Sequence, residues 1–229
     1  MYDGVMMEAI RKARYPLALT GAGISAPSGV PTFQTCWKGR PIRNFLGRDY
    51  FRSDPVGFFE LYCTMEQWSH AEPNLAHRAL AAHHVPVITQ NIDGLHQKAG
   101  STKVIELHGN LHNILCPACG QVQAADVFCG ALRPLYTAHD TQGVLRRLRC
   151  PCGGMLDIDT VLYGDPVRGL GEAMDWLMAS DLLLVIGTSL ETYPAAALPR
   201  VARERGIRVL IEHRDCIAAL EESTKDSPV

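Results

Sequence analysis

Two polar segments hold the residue types of an acid–base and polar-ligand centre. Thr89-Gln90-Asn91-Ile92-Asp93-Gly94-Leu95-His96 follows the apolar run Val85-Pro86-Val87-Ile88, and Glu106-Leu107-His108-Gly109-Asn110 follows Val104-Ile105. Neither reads as core. Each apolar run reads as a strand that turns abruptly polar. In open parallel sheets ligands sit in the crevice at the carboxyl ends of the strands, so these residues are expected to converge on one crevice.

A third stretch, Gly21-Ala22-Gly23-Ile24-Ser25-Ala26, is a G-x-G-x-x-A turn after the buried run Leu17-Ala18-Leu19. Glycines there let the backbone approach a pyrophosphate, and the following amides can donate to it. By itself the pattern is weak, since many strand-to-helix turns carry two glycines. Pro27, Gly29 and Pro31 argue against a long helix after the turn, because proline lacks a donor and clashes inside a helix. The expected ribose acid after a second strand is also missing, which weighs against an ordinary dehydrogenase. The run from Pro31 to Asp54 reads as a loop long enough to lie over a ligand.

Cysteine is the other chemically marked residue. Cys116-Pro117-Ala118-Cys119-Gly120 and Cys150-Pro151-Cys152-Gly153-Gly154 resemble zinc-ribbon knuckles, in which a tight turn points two thiolates at one tetrahedral ion. The second pair is one residue short, and Cys129 is a possible substitute ligand. Four thiolates would leave no open position, so the zinc would be structural. Cys36, Cys63 and Cys216 read as ordinary thiols, and His77, His83 and His84 as surface or packing residues.

Strand and helix alternate around these motifs. Helical spacing marks Met6 to Arg14. Asp54-Pro55 opens a helix through Phe58, Phe59, Leu61, Tyr62 and Met65, and Glu72-Pro73-Asn74 opens Leu75 to His84. Asp159 to Pro166 is a short extended run, and Gly171 to Ala179 a helix. Leu182 to Ile186 is an apolar strand ending in Gly187-Thr188-Ser189-Leu190. Ala195 to Arg205 is a helix capped by Gly206, and Ile207 to Ile211 a last strand with Glu212-His213 at its end. The pattern predicts an α/β fold: a Rossmann-like parallel sheet domain (1–34, 85–113 and 155–229) with a smaller inserted helical and zinc-ribbon domain (35–84 and 114–154).

Bulk properties exclude several classes. The 229 residues are 47% hydrophobic and 20% charged, with a net charge of −2 and no basic block. That is globular composition, without the footprint of a direct nucleic-acid binder. No apolar run approaches membrane-spanning length. The first residues carry charges inside their apolar pattern, unlike a signal peptide, and the chain reads as cytoplasmic. Eight cysteines then point to metal or buried thiols before disulfides.

Taken in order, Gly21 to Ser25 with Ser28-Gly29-Val30-Pro31-Thr32-Phe33, Thr89 to His96, Glu106 to Gly109, the two cysteine pairs, and Gly187 to Leu190 with Tyr193-Pro194-Ala195-Ala196 resemble the sirtuin (Sir2) family of NAD-dependent protein deacylases from about residue 17 to 212. The resemblance implies NAD and an acyl-lysine protein as reactants and a structural zinc. His108 would be the general base that activates a ribose hydroxyl. Asn91 and Asp93 would hold the nicotinamide end and the ribose, and Gln90 would contact ribose hydroxyls. Gly21, Ala22, Gly23, Ala26, Thr32, Gly187, Thr188 and Ser189 would line the cofactor path, with Phe33 over the ribose. Val161 and Tyr163 would pair with the substrate peptide as an added strand.

Departures from the family pattern set further expectations. Gln34 stands where the family has arginine, which puts loop closure and rate in question. Glu212 replaces an asparagine at the adenosine ribose, and a carboxylate can still accept there. Members that remove acidic acyl groups carry tyrosine and arginine three apart; here Tyr62 is present but Met65 takes the place of the arginine. Acetyl or apolar acyl groups are therefore expected over succinyl. Two alternatives keep the fold: an ADP-ribosyltransferase or NAD hydrolase, and a non-catalytic NAD or ADP-ribose sensor.

Overall fold

Leu182–Ile186 is apolar at every position, as a strand covered on both faces must be. In the structure, a computed structural model that describes residues 3–32 and 35–212, it pairs with two parallel neighbours. The five-stranded sheet runs Arg208–Glu212, Leu182–Ile186, Pro16–Thr20, Val87–Thr89, Val104–Glu106. Every pairing is parallel. Two-residue alternation along each strand divides the core. Ala18, Leu182 and Leu184 pack with Met6, Ile10, Ala76 and Leu80 on one face. Leu17, Leu19, Leu183 and Val185 pack with Ala173, Leu177, Leu198 and Ala202 on the other. Helices therefore cover both faces: Asp3–Lys12 and Leu75–Ala82 on one, Leu170–Ala179 and Leu198–Glu204 on the other.

From Pro16–Thr20 the chain adds strands on one side, then returns to add Leu182–Ile186 on the other. The order reverses between those two strands, and such a switch point is where open α/β sheets bind ligands. Among the described residues, no helix is long and apolar enough to cross a membrane.

The second compact unit comprises residues 33–71 and 109–166; the sheet unit comprises 1–32, 72–108 and 167–229. The smaller unit has an antiparallel sheet with Gly109–Leu115 between Val122–Ala124 and Asp157–Thr160. Phe51, Phe58, Phe59 and Phe128 meet edge-on in its core. Asp54 caps helix Pro55–Met65 by accepting from Gly57 N at 2.8 Å, with Pro55 in the first turn. Glu66 is buried, and Arg133 and His70 hold its carboxylate at 2.6 and 3.1 Å; removing Arg133 would take away the fixed counter-charge of a buried carboxyl.

The structure departs from the sequence expectations at the unit boundaries and in one loop. Residues 109–113 and 155–166, expected in the sheet domain, belong to the smaller unit, where Gly109–Leu115 pairs with Asp157–Thr160. Residues 72–84, expected in the smaller domain, belong to the sheet unit, because Ala76 and Leu80 pack against the parallel sheet. The stretch from Pro31 to Asp54 is not wholly loop: it holds a hairpin (Cys36–Trp37 with Arg40–Pro41), a 3-10 turn at Ile42–Phe45 and helix Arg48–Ser53. Edge-on contacts from Phe45 to Trp37 and Tyr50 supply the apolar anchor for these short pieces.

Candidate functional site

At the switch point two turns interlock. Gly21 N donates to Ile186 O at 3.1 Å and Gly23 N to Gly187 O at 2.7 Å. A Cβ on Gly21 would lie 2.7 Å from the Thr188 Cβ, and one on Gly23 2.7 Å from the Gly187 carbonyl oxygen. Gly187 has φ +64°, and a Cβ there would sit 2.2 Å from Ile24 N. The glycines are thus required first by turn-on-turn packing. The following residues line a pocket: Gly23, Ala26, Pro27, Gly29, Val30, Pro31 and Thr32 enclose about 460 Å³. As the prolines predict, helix Ala22–Ser25 passes directly into a 3-10 turn, Ala26–Ser28. Ala22 is partly buried, Thr188 buried and Ser189 exposed. Glu212 ends the edge strand, its carbonyl accepting from Gly187 N at 3.2 Å. Phe33, Gln34, His213 and Cys216 lie outside the described residues.

The polar segment after Val87–Thr89 proves to be core. Gln90, Asn91, Asp93 and His96 are all buried, contrary to the expectation that neither segment is core. Small polar residues around them and their own backbone supply most of the partners that burial requires. Gln90 Nε2 donates to Thr188 Oγ1 at 2.8 Å, Asn91 N to Thr89 Oγ1 at 3.0 Å, and Leu95 N to Asp93 Oδ1 at 3.0 Å. Asn91 Nδ2 donates to Ser25 Oγ at 3.0 Å. Asn91 Oδ1 is buried with no partner among the described residues. An unpaired buried acceptor is costly, and it fits a ligand that brings a donor there.

Sequence reasoning assigned no role in the site to Ser25, His77 or His96. Ser25 Oγ accepts from Asn91 Nδ2 and lies 3.3 Å from His77 Nε2, so the two buried side chains meet at one hydroxyl. The His77 and His96 rings pack edge-on at 4.8 Å, and His96 Nε2 lies 2.9 Å from Thr20 Oγ1. The usable signal is the set of small polar residues Thr20, Ser25 and Thr89 beside the motifs. His83 and His84 are exposed, as expected.

Burial lowers His77 to about 4; burial, then the neighbouring His77, lowers His96 to about 3. Unfolded, both would titrate near 6.5. Their neutral burial therefore contributes fully above that pH, and the contribution is lost as pH falls toward the folded values. The expected slope is about 1.4 kcal/mol per pH unit per ring. Urea unfolding between pH 7 and pH 4 checks this: His77→Gln should flatten the slope, and an unchanged slope would refute it.

His108 presents its proton-accepting side by construction. Its Nδ1 lies 2.8 Å from Gln90 O; a carbonyl only accepts, so Nδ1 carries the hydrogen and Nε2 keeps a lone pair. Burial holds the ring below the ordinary histidine range, partly opposed by that carbonyl bond. The preceding residue is pinned by Leu107 N to Thr89 O at 2.9 Å. His108, Gln90 and Asn91 are therefore joined through one strand end.

In the smaller unit the Sγ atoms of Cys116, Cys119, Cys150 and Cys152 lie within 4.8 Å of one another. Two of the separations are 3.5 and 3.7 Å. Tetrahedral zinc with bonds near 2.3 Å sets sulfurs about 3.8 Å apart, so the set fits the ion. The short second pair works because Gly153, at φ +90°, closes its turn with a bond to Cys150 O at 2.8 Å. A Cβ on Gly154 would meet Ala118 Cβ at 2.8 Å and Cys116 Sγ at 3.1 Å. Cys129 is not in the set; it is buried in helix Ala125–Thr137.

Two expected substrate contacts are revised. Tyr62 is 1% exposed and its hydroxyl donates to Asn113 O at 3.4 Å. It is a core residue, because its face of helix Pro55–Met65 packs on Phe59. Met65, at the position where acidic-acyl members carry arginine, is equally buried. Tyr163 N donates to Leu46 O at 2.9 Å, and Tyr163 O accepts from Arg48 N at 3.0 Å. Its backbone pairs within the fold, while the residue as a whole is 52% exposed. Val161 is half-buried two residues before it.

The Sir2 family model matches residues 21–194. An NAD-dependent protein deacetylase of Saccharolobus solfataricus is 38% identical, covering 99% of this chain and 89% of its own. An NAD-dependent protein deacylase of Thermococcus kodakarensis is 37% identical over 90% and 82%. The solved structure of Sir2Tm bound to a propionylated peptide superposes with a TM-score of 0.83 at 29% identity, covering 99% and 98%. A Sir2 complex with a p53 peptide and NAD+ gives 0.81 at 30%, covering 99% and 100%. With the parallel sheet, its switch-point turns and the four-cysteine cluster in place, the chain belongs to the Sir2 family.

Proposed function

We propose that this chain is an NAD-dependent protein-lysine deacylase, acting first as a deacetylase. The observation that carries the reading is His108, with Nε2 left basic by the Nδ1 bond to Gln90 O, joined to Asn91 whose buried Oδ1 awaits a donor. When bound, NAD supplies a nicotinamide–ribose bond whose cleavage opens C1′ to the acyl oxygen. His108 Nε2 takes the proton of a ribose hydroxyl, a task suited to an imidazole poised near or below neutrality. Asn91 Oδ1 accepts from the nicotinamide end, and Asp93 lies in the same buried turn. Gln90 reaches the ribose from its bond to Thr188. The pocket from Gly23 to Thr32 takes the phosphates, with Gly21, Ala22, Gly187 and Ser189 in the bordering turns and Glu212 at the adenosine end.

Cys116, Cys119, Cys150 and Cys152 would hold one zinc ion and offer no open position, so its contribution is to folding. Thiolates bind metal only when reduced, which agrees with a cytoplasmic location. The partner is a protein carrying an acyl-lysine, docking along Val161–Asp165; the reading requires neither a membrane nor a nucleic acid. Product analysis with acetyl-lysine peptide and NAD tests the reading. Nicotinamide, deacetylated peptide and O-acetyl-ADP-ribose are expected. Free ADP-ribose alone, or ADP-ribosylated protein without deacetylation, would overturn it.

A further inference from the structure

Arg48 is held by two carboxylates from one short run of chain. Its Nε donates to Asp165 Oδ1 at 3.0 Å and Nη2 to Asp165 Oδ2 at 2.7 Å. Its Nη1 reaches both oxygens of Asp157, at 2.9 and 2.8 Å. The three side chains are only about a fifth exposed, at 17%, 24% and 22%, so this is not a screened surface pair. Asp157 opens strand Asp157–Thr160, and Asp165 closes the turn that follows. A planar guanidinium can hold both at once, which a point charge cannot.

The backbone reinforces the clamp. Arg48 N donates to Tyr163 O, and Tyr163 N to Leu46 O. Asp165 N bonds Leu162 O at 2.9 Å, and Leu162 N returns to Asp165 Oδ2 at 3.2 Å. Gly164 takes φ +101° between them. Asp165 thus serves two purposes: it closes the turn and ties it to Arg48. None of Arg48, Asp157 and Asp165 is fully buried. What the clamp determines is the shape of Val161–Asp165.

We propose that Arg48 is a positioning residue, fixing the Val161–Asp165 turn so that Val161 and the exposed Tyr163 side chain face the residues that flank the acyl-lysine of a substrate peptide. This rests on the deacylase reading above and adds a residue to it. The test compares wild type, Arg48→Gln, Arg48→Lys and Asp165→Asn on two substrates at saturating NAD. One is a peptide with acetyl-lysine at its centre; the other is a capped acetyl-lysine amide with no flanking residues. Arg48→Gln should raise KM for the peptide about tenfold, as expected for losing charge-assisted bonds. KM for the amide and for NAD should move little. Arg48→Lys should recover part of the loss. Asp165→Asn, which can still accept from Leu162 N, should shift the peptide KM in the same direction by less. An unchanged peptide KM in Arg48→Gln, or equal losses on both substrates, would overturn the positioning role while leaving the deacylase intact. A wild-type chain that deacetylates neither substrate would overturn the deacylase reading and this proposal with it.

Discussion

His108→Ala is expected to lower turnover by roughly 10²- to 10⁴-fold, the range for losing a positioned general base, while NAD still binds. The two effects separate because different groups serve them. The pocket from Gly23 to Thr32 and the Gln90–Thr188 bond do not depend on the imidazole. Gln90 O loses one donor, which water can replace in a half-buried site. Calorimetry of NAD binding and rates of nicotinamide release on the same preparation check both halves. Turnover kept within a few-fold would remove His108 as the base. In the wild type, the base must be neutral to work, and burial holds it below the ordinary histidine range. The acid limb of the rate profile should therefore fall at a lower pH than an exposed histidine would give.

Zinc removal is expected to unfold the smaller unit. Structural zinc contributes about 10–16 kcal/mol in small zinc modules, comparable to the whole stability of a domain, about 5–15 kcal/mol. The knuckle Cys116–Cys119 directly follows the central strand Gly109–Leu115, and Cys150–Cys152 leads into Asp157–Thr160. Both strands of that pairing would be anchored through the same ion. Cys152→Ser or a strong chelator should release one zinc per chain, abolish protease resistance between residues 109 and 166, and lower the melting temperature. A chelated protein with an unchanged melt would show that the knuckles stand without metal.

Much of this is legible where local chemistry is self-contained. Leu182–Ile186 announces a doubly covered strand because no side chain in it tolerates water. Asp54-Pro55 and Asn74 announce helix starts because a cap needs only its own next turn. The cysteine knuckles are legible for the same reason. What stays hidden depends on partners distant in the chain. Tyr62 suits a ligand pocket until Phe59 and Asn113 bury it. Asn91 and His96 read as lining an open crevice until their bonds to Ser25 and Thr20 show them buried. The glycines of the first turn suggest space for phosphate, yet Gly187 and Thr188 fill the space of two of their missing side chains. Spacing reveals residue type and local geometry; it does not reveal what stands opposite.

As the chain is synthesised, strand Pro16–Thr20 emerges early but cannot settle. Its two sheet neighbours are Val87–Thr89 and Leu182–Ile186, the second made only after residues 33–166. Residues 33–71 and 109–166, with all four zinc thiolates, are complete before that neighbour exists. The smaller unit can therefore close around its metal first. The sheet edge between Pro16–Thr20 and Leu182–Ile186 forms only after the smaller unit has been made, since such long-range pairings carry the largest closure cost. Translation that stops before residue 182 would leave a zinc-bearing module and an unpaired apolar strand, a species exposed to aggregation and to proteolysis.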